Sequence, residues 1–111
     1  FAVIRLFLEY GVTHVAEAAF QHTNWVRGLE PLRPLAELRI LRCHVPDSLA
    51  HIRAEERRRD QPSRAAHDDA GHFSVQRSFE PIRLDVPTLD IDTTNGYDPD
   101  LEAIAAFVRS P

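Results

Sequence analysis

The alternation of apolar and polar residues predicts four helices and three strands along this chain of 111 residues. Residues 1–10 are dense in apolar side chains, and Arg5 and Glu9 lie four apart on one helix face, so a mostly buried helix is predicted there. Gly11 then supplies the left-handed residue with which helices commonly end. Residues 12–19 lack alternation and carry small or branched side chains, which predicts a strand buried on both faces.

The middle of the chain predicts a further helix–strand–helix sequence. Residues 21–27 are typical of a loop or a helix start, and a short or kinked helix follows over 29–38, where leucine recurs every third position and two prolines interrupt. Residues 39–45 are predicted to form the second strand. Asp47 is expected to be the N-cap of a helix that ends near Asp60 and is largely solvated.

The last third predicts one strand and one helix after an irregular stretch. Residues 61–80 are polar and rich in histidine, and we expect them to be mobile. A strand is predicted over 87–94, a turn at Asn95-Gly96, and a helix with Asp98 as cap and Pro99 as first residue. The apolar face of that helix is predicted to comprise Leu101, Ile104, Ala105 and Val108. Alternating strands and helices predict an α/β fold with a parallel sheet between helical layers.

Composition narrows the class of protein. Apolar residues make up 43% and charged residues 27%, as in one globular domain, and no signal peptide or membrane-length apolar run is visible. The single cysteine, Cys43, excludes an internal disulfide and suits the cytoplasm. The net charge of −4 argues against nucleic-acid binding, whereas five arginines within 53–64 indicate a small anionic ligand. The chain contains neither lysine nor methionine, and without an initiator Met we expect it to be a fragment.

Glu17 is the leading candidate for a functional residue. It follows the apolar run of the first predicted strand and precedes a polar and aromatic stretch that includes Gln21, His22 and Trp25. In open α/β sheets ligands bind beyond the carboxyl ends of the strands, and small residues beside Glu17 leave room for one. The alternative is a structural acid that caps a helix or pairs with an arginine.

Three segments in order resemble the P-loop small-molecule kinases, of the adenylate-kinase-like type and their bacterial ATP-binding relatives. They are 11–20 (Gly-Val-Thr-His-Val-Ala-Glu-Ala-Ala-Phe), 39–45 (Arg-Ile-Leu-Arg-Cys-His-Val), and 84–97, which runs from Leu-Asp-Val-Pro-Thr-Leu to Asp-Thr-Thr-Asn-Gly-Tyr. An arginine-rich helix separates the last two. The resemblance implies a three-layer P-loop kinase-like fold, ATP and Mg²⁺ as cofactors, and a small-molecule phosphoryl acceptor.

The resemblance also implies roles for individual residues. Glu17, Arg53 and Arg57 would be catalytic, with Glu17 acting indirectly on Mg²⁺, and residues 46–80 would form a lid of the arginine-rich helix and the mobile segment. The residues implied to lie near the nucleotide are Arg64, Thr93, Thr94, Gly96 and Tyr97. Those implied to line the acceptor side are Phe20, Gln21, His22 and Trp25.

The motif that defines the family, Gly-x-x-x-x-Gly-Lys-Ser/Thr, is absent from these 111 residues. The chain therefore resembles the C-terminal two-thirds of such a kinase, and we expect ATP binding to be weak or absent without an upstream P-loop. A sheet that lacks its central strand would expose an edge, so we expect that the chain can associate with a second copy of itself through that edge. No nucleic acid or membrane is expected as a partner.

Alternatives to the kinase hypothesis stay open. The arginines of 53–59 could form a solvated face paired with Glu55 and Glu56. A metal site is disfavoured, because the Cys and His spacings fit no compact zinc pattern; the residues weighed for it are Cys43, His44, His51, His67, Asp68 and His72. The functional alternatives are a non-catalytic α/β binding or interaction module and an anion-binding regulatory domain.

Overall fold

The structure, a computed structural model, describes residues 1–60 and 79–111 and has a mixed α/β fold with a two-stranded parallel sheet. Within these residues the elements are α1 (Ala2–Glu9), α2 (His22–Leu29), a 3₁₀ helix (Glu30–Leu35), β1 (Ile40–His44), α3 (Asp47–Asp60), β2 (Thr88–Asp92) and α4 (Leu101–Arg109). None of the helices in the described ranges is long and apolar enough to cross a bilayer.

The chain divides into two compact units. The first unit comprises Phe1–Ile40 and Phe79–Thr88, and the described part of the second comprises 41–60 and 89–111. Leu32 and Ile82 are the buried apolar residues of the first unit, and Ala54 and Ile91 are those of the second, among the residues described.

Helix α1 ends as the sequence predicts but is not buried. Gly11 adopts a φ of 71°, and its N–H donates to the carbonyl of Leu8, which is the left-handed termination expected at this position. The prediction of a mostly buried helix is wrong, because no residue of α1 is buried and Val3 keeps 62% of its surface exposed. The described neighbour of α1 is the short 3₁₀ helix, which covers only part of an apolar face.

The predicted strand over 12–19 is wrong. These residues form no strand, and Val15 is 91% exposed. A strand buried on both faces needs backbone partners and covering helices, and the pairing nearest to this segment among the described residues is one isolated bridge between Gln21 and Pro81. Three of its eight side chains are alanines, which offer little apolar area to drive burial.

Part of the leucine repeat of residues 29–38 lies on a 3₁₀ helix. A 3₁₀ helix has three residues per turn, so side chains at every third position share one face. The 3₁₀ helix spans Glu30–Leu35 and turns Leu32 inward to 2% exposure, which confirms a short helix interrupted by proline. The stretch expected to be a loop or helix start contains α2, which extends to Leu29.

The second and third predicted strands are confirmed as β1 and β2. The Ile40 N–H donates to the Pro87 carbonyl, and the Thr93 N–H donates to the His44 carbonyl, which fixes the parallel register. Along β2 the burial follows the predicted alternation, since Ile91 is fully buried while Asp90 is exposed. Helix α3 follows β1 along the chain and precedes β2.

Two helix starts differ from the prediction. Helix α3 begins with Asp47 itself, because the Pro46 carbonyl accepts the first helical hydrogen bonds from Leu49 and Ala50. Helix α4 begins at Leu101 with Asp100 as its N-cap, whose carboxylate accepts from the Ala103 N–H at 2.9 Å. The predicted cap, Asp98, instead exchanges both backbone hydrogen bonds with Asp92.

The turn predicted at Asn95-Gly96 is confirmed, and Gly96 takes a φ of 75°. Residues 61–80 are predicted to be mobile, and almost all of them lie outside the described residues. The larger part of the lid predicted over 46–80 also lies outside them.

Candidate functional site

The candidate residues of the first unit begin with Glu17, which lies in the exposed stretch that follows α1. Its carboxylate makes no hydrogen bond or ion pair with any other residue in the described ranges. The sequence placed Glu17 at the end of a buried strand, and the absence of that strand removes the reason for expecting it in a crevice.

Aromatic residues gather around Trp25 on α2. The Phe20 ring meets the indole edge-on at a centroid distance of 4.5 Å, and the Phe1 ring does so at 4.9 Å. Gly28 permits this arrangement, because a Cβ at that position would clash with the Phe1 ring. The structure thus brings together two of the four predicted acceptor-side residues, Phe20 and Trp25, in edge-to-face contacts typical of aromatic clusters.

The other two acceptor-side residues, Gln21 and His22, bind a segment that the sequence did not implicate. The Glu80 N–H donates to Gln21 Oε1 at 3.3 Å, and the His22 N–H donates to the Glu80 carbonyl at 2.9 Å. The Arg83 N–H donates to His22 Nδ1 at 3.1 Å. No local sequence signal links positions about 60 residues apart, so this pairing becomes visible only in the fold.

In the second unit Arg53 of α3 reaches the end of β2. One of its terminal nitrogens donates to the carbonyls of Thr93, at 2.9 Å, and Thr94, at 3.0 Å. The structure therefore joins a predicted catalytic arginine to two predicted nucleotide-facing residues. Arg57 is exposed and pairs with no acid among the described residues, and Arg64 lies outside them.

The start of the segment from Thr93 to Tyr97 is fixed by hydrogen bonds to the ends of both strands. Both the N–H and the hydroxyl of Thr93 donate to the His44 carbonyl, at 2.9 and 3.2 Å. The Thr94 N–H donates to Asp92 Oδ1 at 2.8 Å. Gly96 turns the chain with a positive φ, and Tyr97 keeps 54% of its surface exposed. An aromatic face is therefore presented beside an ordered backbone turn.

An open depression lies beside this turn, lined by Asp92, Thr94, Asn95 and Asp98. Hydrogen bonds from Thr94 lower the pKa of Asp92 below its usual value, with a smaller contribution from His44. The depression therefore carries negative charge and several hydrogen-bond acceptors. Sequence reasoning missed Asp92 and Asp98 as site residues, although two acids on either side of an Asn-Gly turn after a strand were the available signal.

A second carboxylate of β2 is occupied by an arginine of β1. Two guanidinium nitrogens of Arg42 donate to the two oxygens of Asp90, at 2.7 and 2.9 Å. These hydrogen bonds hold the pKa of Asp90 below its usual value and raise that of Arg42. This bidentate pair engages both carboxylate oxygens of Asp90.

No group of three or more His, Cys, Asp or Glu in the described ranges could hold a metal ion. Mg²⁺ is usually held by one or two carboxylates together with water and phosphate oxygens, so the role of Glu17 toward Mg²⁺ stays a prediction.

No protein-family model, curated protein or solved structure matches this chain. What the chain does is therefore inferred from the geometry of its own residues.

Proposed function

We propose that this chain is part of a cytoplasmic, ATP-dependent small-molecule kinase with a three-layer P-loop kinase-like fold. The observation that carries the proposal is the contact of Arg53 with the carbonyls of Thr93 and Thr94. It links the arginine-rich helix that the resemblance makes a lid to the segment that the resemblance puts beside the nucleotide. The acceptor is a small hydroxylated or phosphorylated molecule.

The parallel pairing of β1 and β2 supports a ligand site at the segment that follows β2. Strands β1 and β2 are parallel, and α3 lies between them in the chain order. Ligands of open α/β sheets bind beyond the carboxyl ends of such strands. His44 and Asp92 are the last residues of β1 and β2, so Thr93 to Tyr97 lie at that edge.

Charge decides which part of a nucleotide this segment would face. Asp92 and Asp98 line the depression, and carboxylates repel the phosphate groups of ATP. The same oxygens accept hydrogen bonds from an adenine amino group or from ribose hydroxyls, and the exposed Tyr97 ring can stack on a base. The proposal therefore assigns Thr93, Thr94, Gly96 and Tyr97 to the adenosine end.

The acceptor side is assigned to the aromatic and polar residues of the first unit. Phe20 and Trp25 form an apolar wall, while Gln21 and His22 supply polar atoms next to it. Small-molecule sites usually combine such walls with a few placed polar groups. Arg57 and Arg64 would be cationic groups of the lid. Because the P-loop motif is absent from these residues, the phosphate-binding loop would be supplied by another part of the kinase. No step is assigned to magnesium at Glu17.

The test is a titration of the chain with ATP followed by nuclear magnetic resonance of backbone amides. We expect weak binding, and the amides of 93–97 should shift in a saturable way. Tyr97→Ala removes the stacking surface and should weaken binding about fivefold.

Tyr10→Ala is the matched control, because Tyr10 is the other tyrosine of the chain and is also exposed. It should leave the ATP titration unchanged. Saturable shifts that leave the amides of 93–97 in place, or equal weakening by both variants, would contradict the nucleotide assignment.

A non-catalytic interaction module is the second candidate, and the sheet itself favours it. Residues 40 and 44 of β1 pair with the chain of β2, so the backbone groups of Leu41 and Cys43 point to the opposite edge. No bridge occupies that edge within the described residues, and Leu41 is 40% exposed. An unpaired strand edge is a template for another strand, including one from a second copy of the chain.

A further inference from the structure

His22 is held by a hydrogen bond that defines the hydrogen positions on its ring. A backbone N–H can only donate, so the contact between the Arg83 N–H and His22 Nδ1, at 3.1 Å, requires an acceptor at Nδ1. A neutral imidazole that accepts at one nitrogen carries its hydrogen on the other. The geometry thus requires the hydrogen of neutral His22 to be on Nε2.

His14, in the same unit, uses its Nδ1 as a donor, whereas His22 uses its Nδ1 as an acceptor. Its Nδ1 lies 3.1 Å from the Val12 carbonyl, which can only accept, so Nδ1 must carry a hydrogen there. The ring also meets Phe7 edge-on at 5.1 Å. The two histidines therefore require opposite tautomers.

We infer that His22 is a positioning residue that offers a fixed Nε2–H to an oxygen of the acceptor substrate and does not act as the base that deprotonates it. This inference rests on the proposed function, which assigns His22 to the acceptor side. With Nδ1 occupied by the Arg83 N–H, Nε2 is the remaining polar atom of the ring, and in the neutral form it can donate but not accept. The matching ligand class is a molecule with a hydroxyl, carbonyl or phosphate oxygen.

Protonation should affect the two histidines differently. An imidazolium donates from both nitrogens, so it abolishes the acceptor at His22 but preserves the donor at His14. The charged and titratable groups at His22 are those of 80–83: the Glu80 backbone also binds His22, and the Glu80 carboxylate lies 3.7 Å from the Arg83 guanidinium. The hydrogen bond from the Arg83 N–H therefore requires the neutral form of His22, whereas the backbone hydrogen bond between His22 and Glu80 does not depend on the ring.

The experiment is ¹⁵N nuclear magnetic resonance of the imidazole rings of the whole chain, with His22→Asn and His14→Asn used for assignment. In the neutral form His22 should show an unprotonated Nδ1 and a protonated Nε2, and neutral His14 the reverse. The same tautomer in both rings, or a protonated Nδ1 in neutral His22, overturns the inference. This outcome does not depend on nucleotide binding, so it is separable from a failure of the proposed function.

Hydrogen exchange of the Arg83 amide provides the second measurement. The side-chain oxygen of an asparagine can accept in place of the imidazole Nδ1, so His22→Asn should retain protection, whereas His22→Ala should lower it about fivefold. Unchanged protection in His22→Ala would show that the hydrogen bond does not exist.

Inorganic phosphate serves as the probe for the oxygen ligand. Its addition should shift the Nε2–H resonance of His22 in a saturable manner and leave that of His14 in place. Equal or absent shifts at both rings would overturn the positioning role while leaving the tautomer assignment standing.

Discussion

At the scale of single residues, three arginines of this chain have different environments. Arg53 is partly buried and donates to two backbone carbonyls, Arg42 is locked to Asp90, and Arg57 is exposed. An exposed charge contributes little to stability, whereas a charged donor that satisfies backbone carbonyls contributes more. The lid hypothesis treated Arg53 and Arg57 as a pair, but in the structure only Arg53 of these two binds backbone carbonyls at the end of β2.

Replacement of Arg53 should therefore destabilise the fold more than replacement of Arg57. Arg53→Ala removes the donor to the Thr93 and Thr94 carbonyls and should lower the free energy of unfolding by about 2 kcal/mol. Arg57→Ala, on the same helix, should change it by less than about 0.5 kcal/mol. Urea unfolding followed by circular dichroism measures both, and equal effects would mean that the Arg53 contact does not stabilise β2.

At the scale of elements, the start of α4 depends on whether an aspartate pairs its backbone with β2 or caps the helix. Both Asp98 and Asp100 are residues that favour an N-cap, and the sequence Asp-Pro-Asp offers either. The backbone N–H and carbonyl of Asp98 both bind Asp92, so the helix begins two residues later than predicted and Asp100 is its cap.

Capping by Asp100 can be measured directly. Asp100→Ala leaves the Ala103 N–H without its acceptor and should lower the free energy of unfolding by about 1 kcal/mol. Asp98→Ala keeps the backbone bridge and should cost less than about 0.5 kcal/mol. A larger loss in Asp98→Ala than in Asp100→Ala, by thermal or urea unfolding, would restore the helix start that the sequence favoured.

At the scale of the whole molecule, apolar surface is abundant relative to the buried core. Four apolar residues are buried among those described, whereas Leu6, Val15 and Leu101 are each more than half exposed. A two-stranded sheet is marginal in water unless more strands or helices cover it. These features favour association through an uncovered surface, and among the described residues the outer edge of β1 has unpaired backbone groups.

Self-association should respond to a charge at that edge. Leu41→Lys places a lysine on the exposed strand, a common protection of natural sheet edges, and should reduce the associated fraction seen by sedimentation equilibrium. Leu6→Lys, on the exposed face of α1, is the matched control and should leave the association constant unchanged. If Leu6→Lys were the variant that dissociates the complex, the interface would be on α1 and not on the sheet.

The sequence by itself determined the elements whose signals are local. The Gly11 termination, the leucine period of the 3₁₀ helix, the span of α3, and the strands β1 and β2 depend on residues within a few positions of one another. Propensity, side-chain period and turn chemistry act over that distance, so the pattern alone was sufficient. The same local logic placed Thr93 and Thr94 at a strand end.

Only the tertiary structure decided which segments find partners. Residues 12–19 have a strand-like composition but no described strand beside them, so Glu17 is exposed and not at a crevice. His22 and Gln21 bind 80–83, and Arg53 binds the end of β2, across separations of 40 to 61 residues. Such contacts depend on how distant segments meet, and a short sequence window contains no information about that. The physical reason is that burial and pairing are properties of two surfaces together, whereas periodicity describes one.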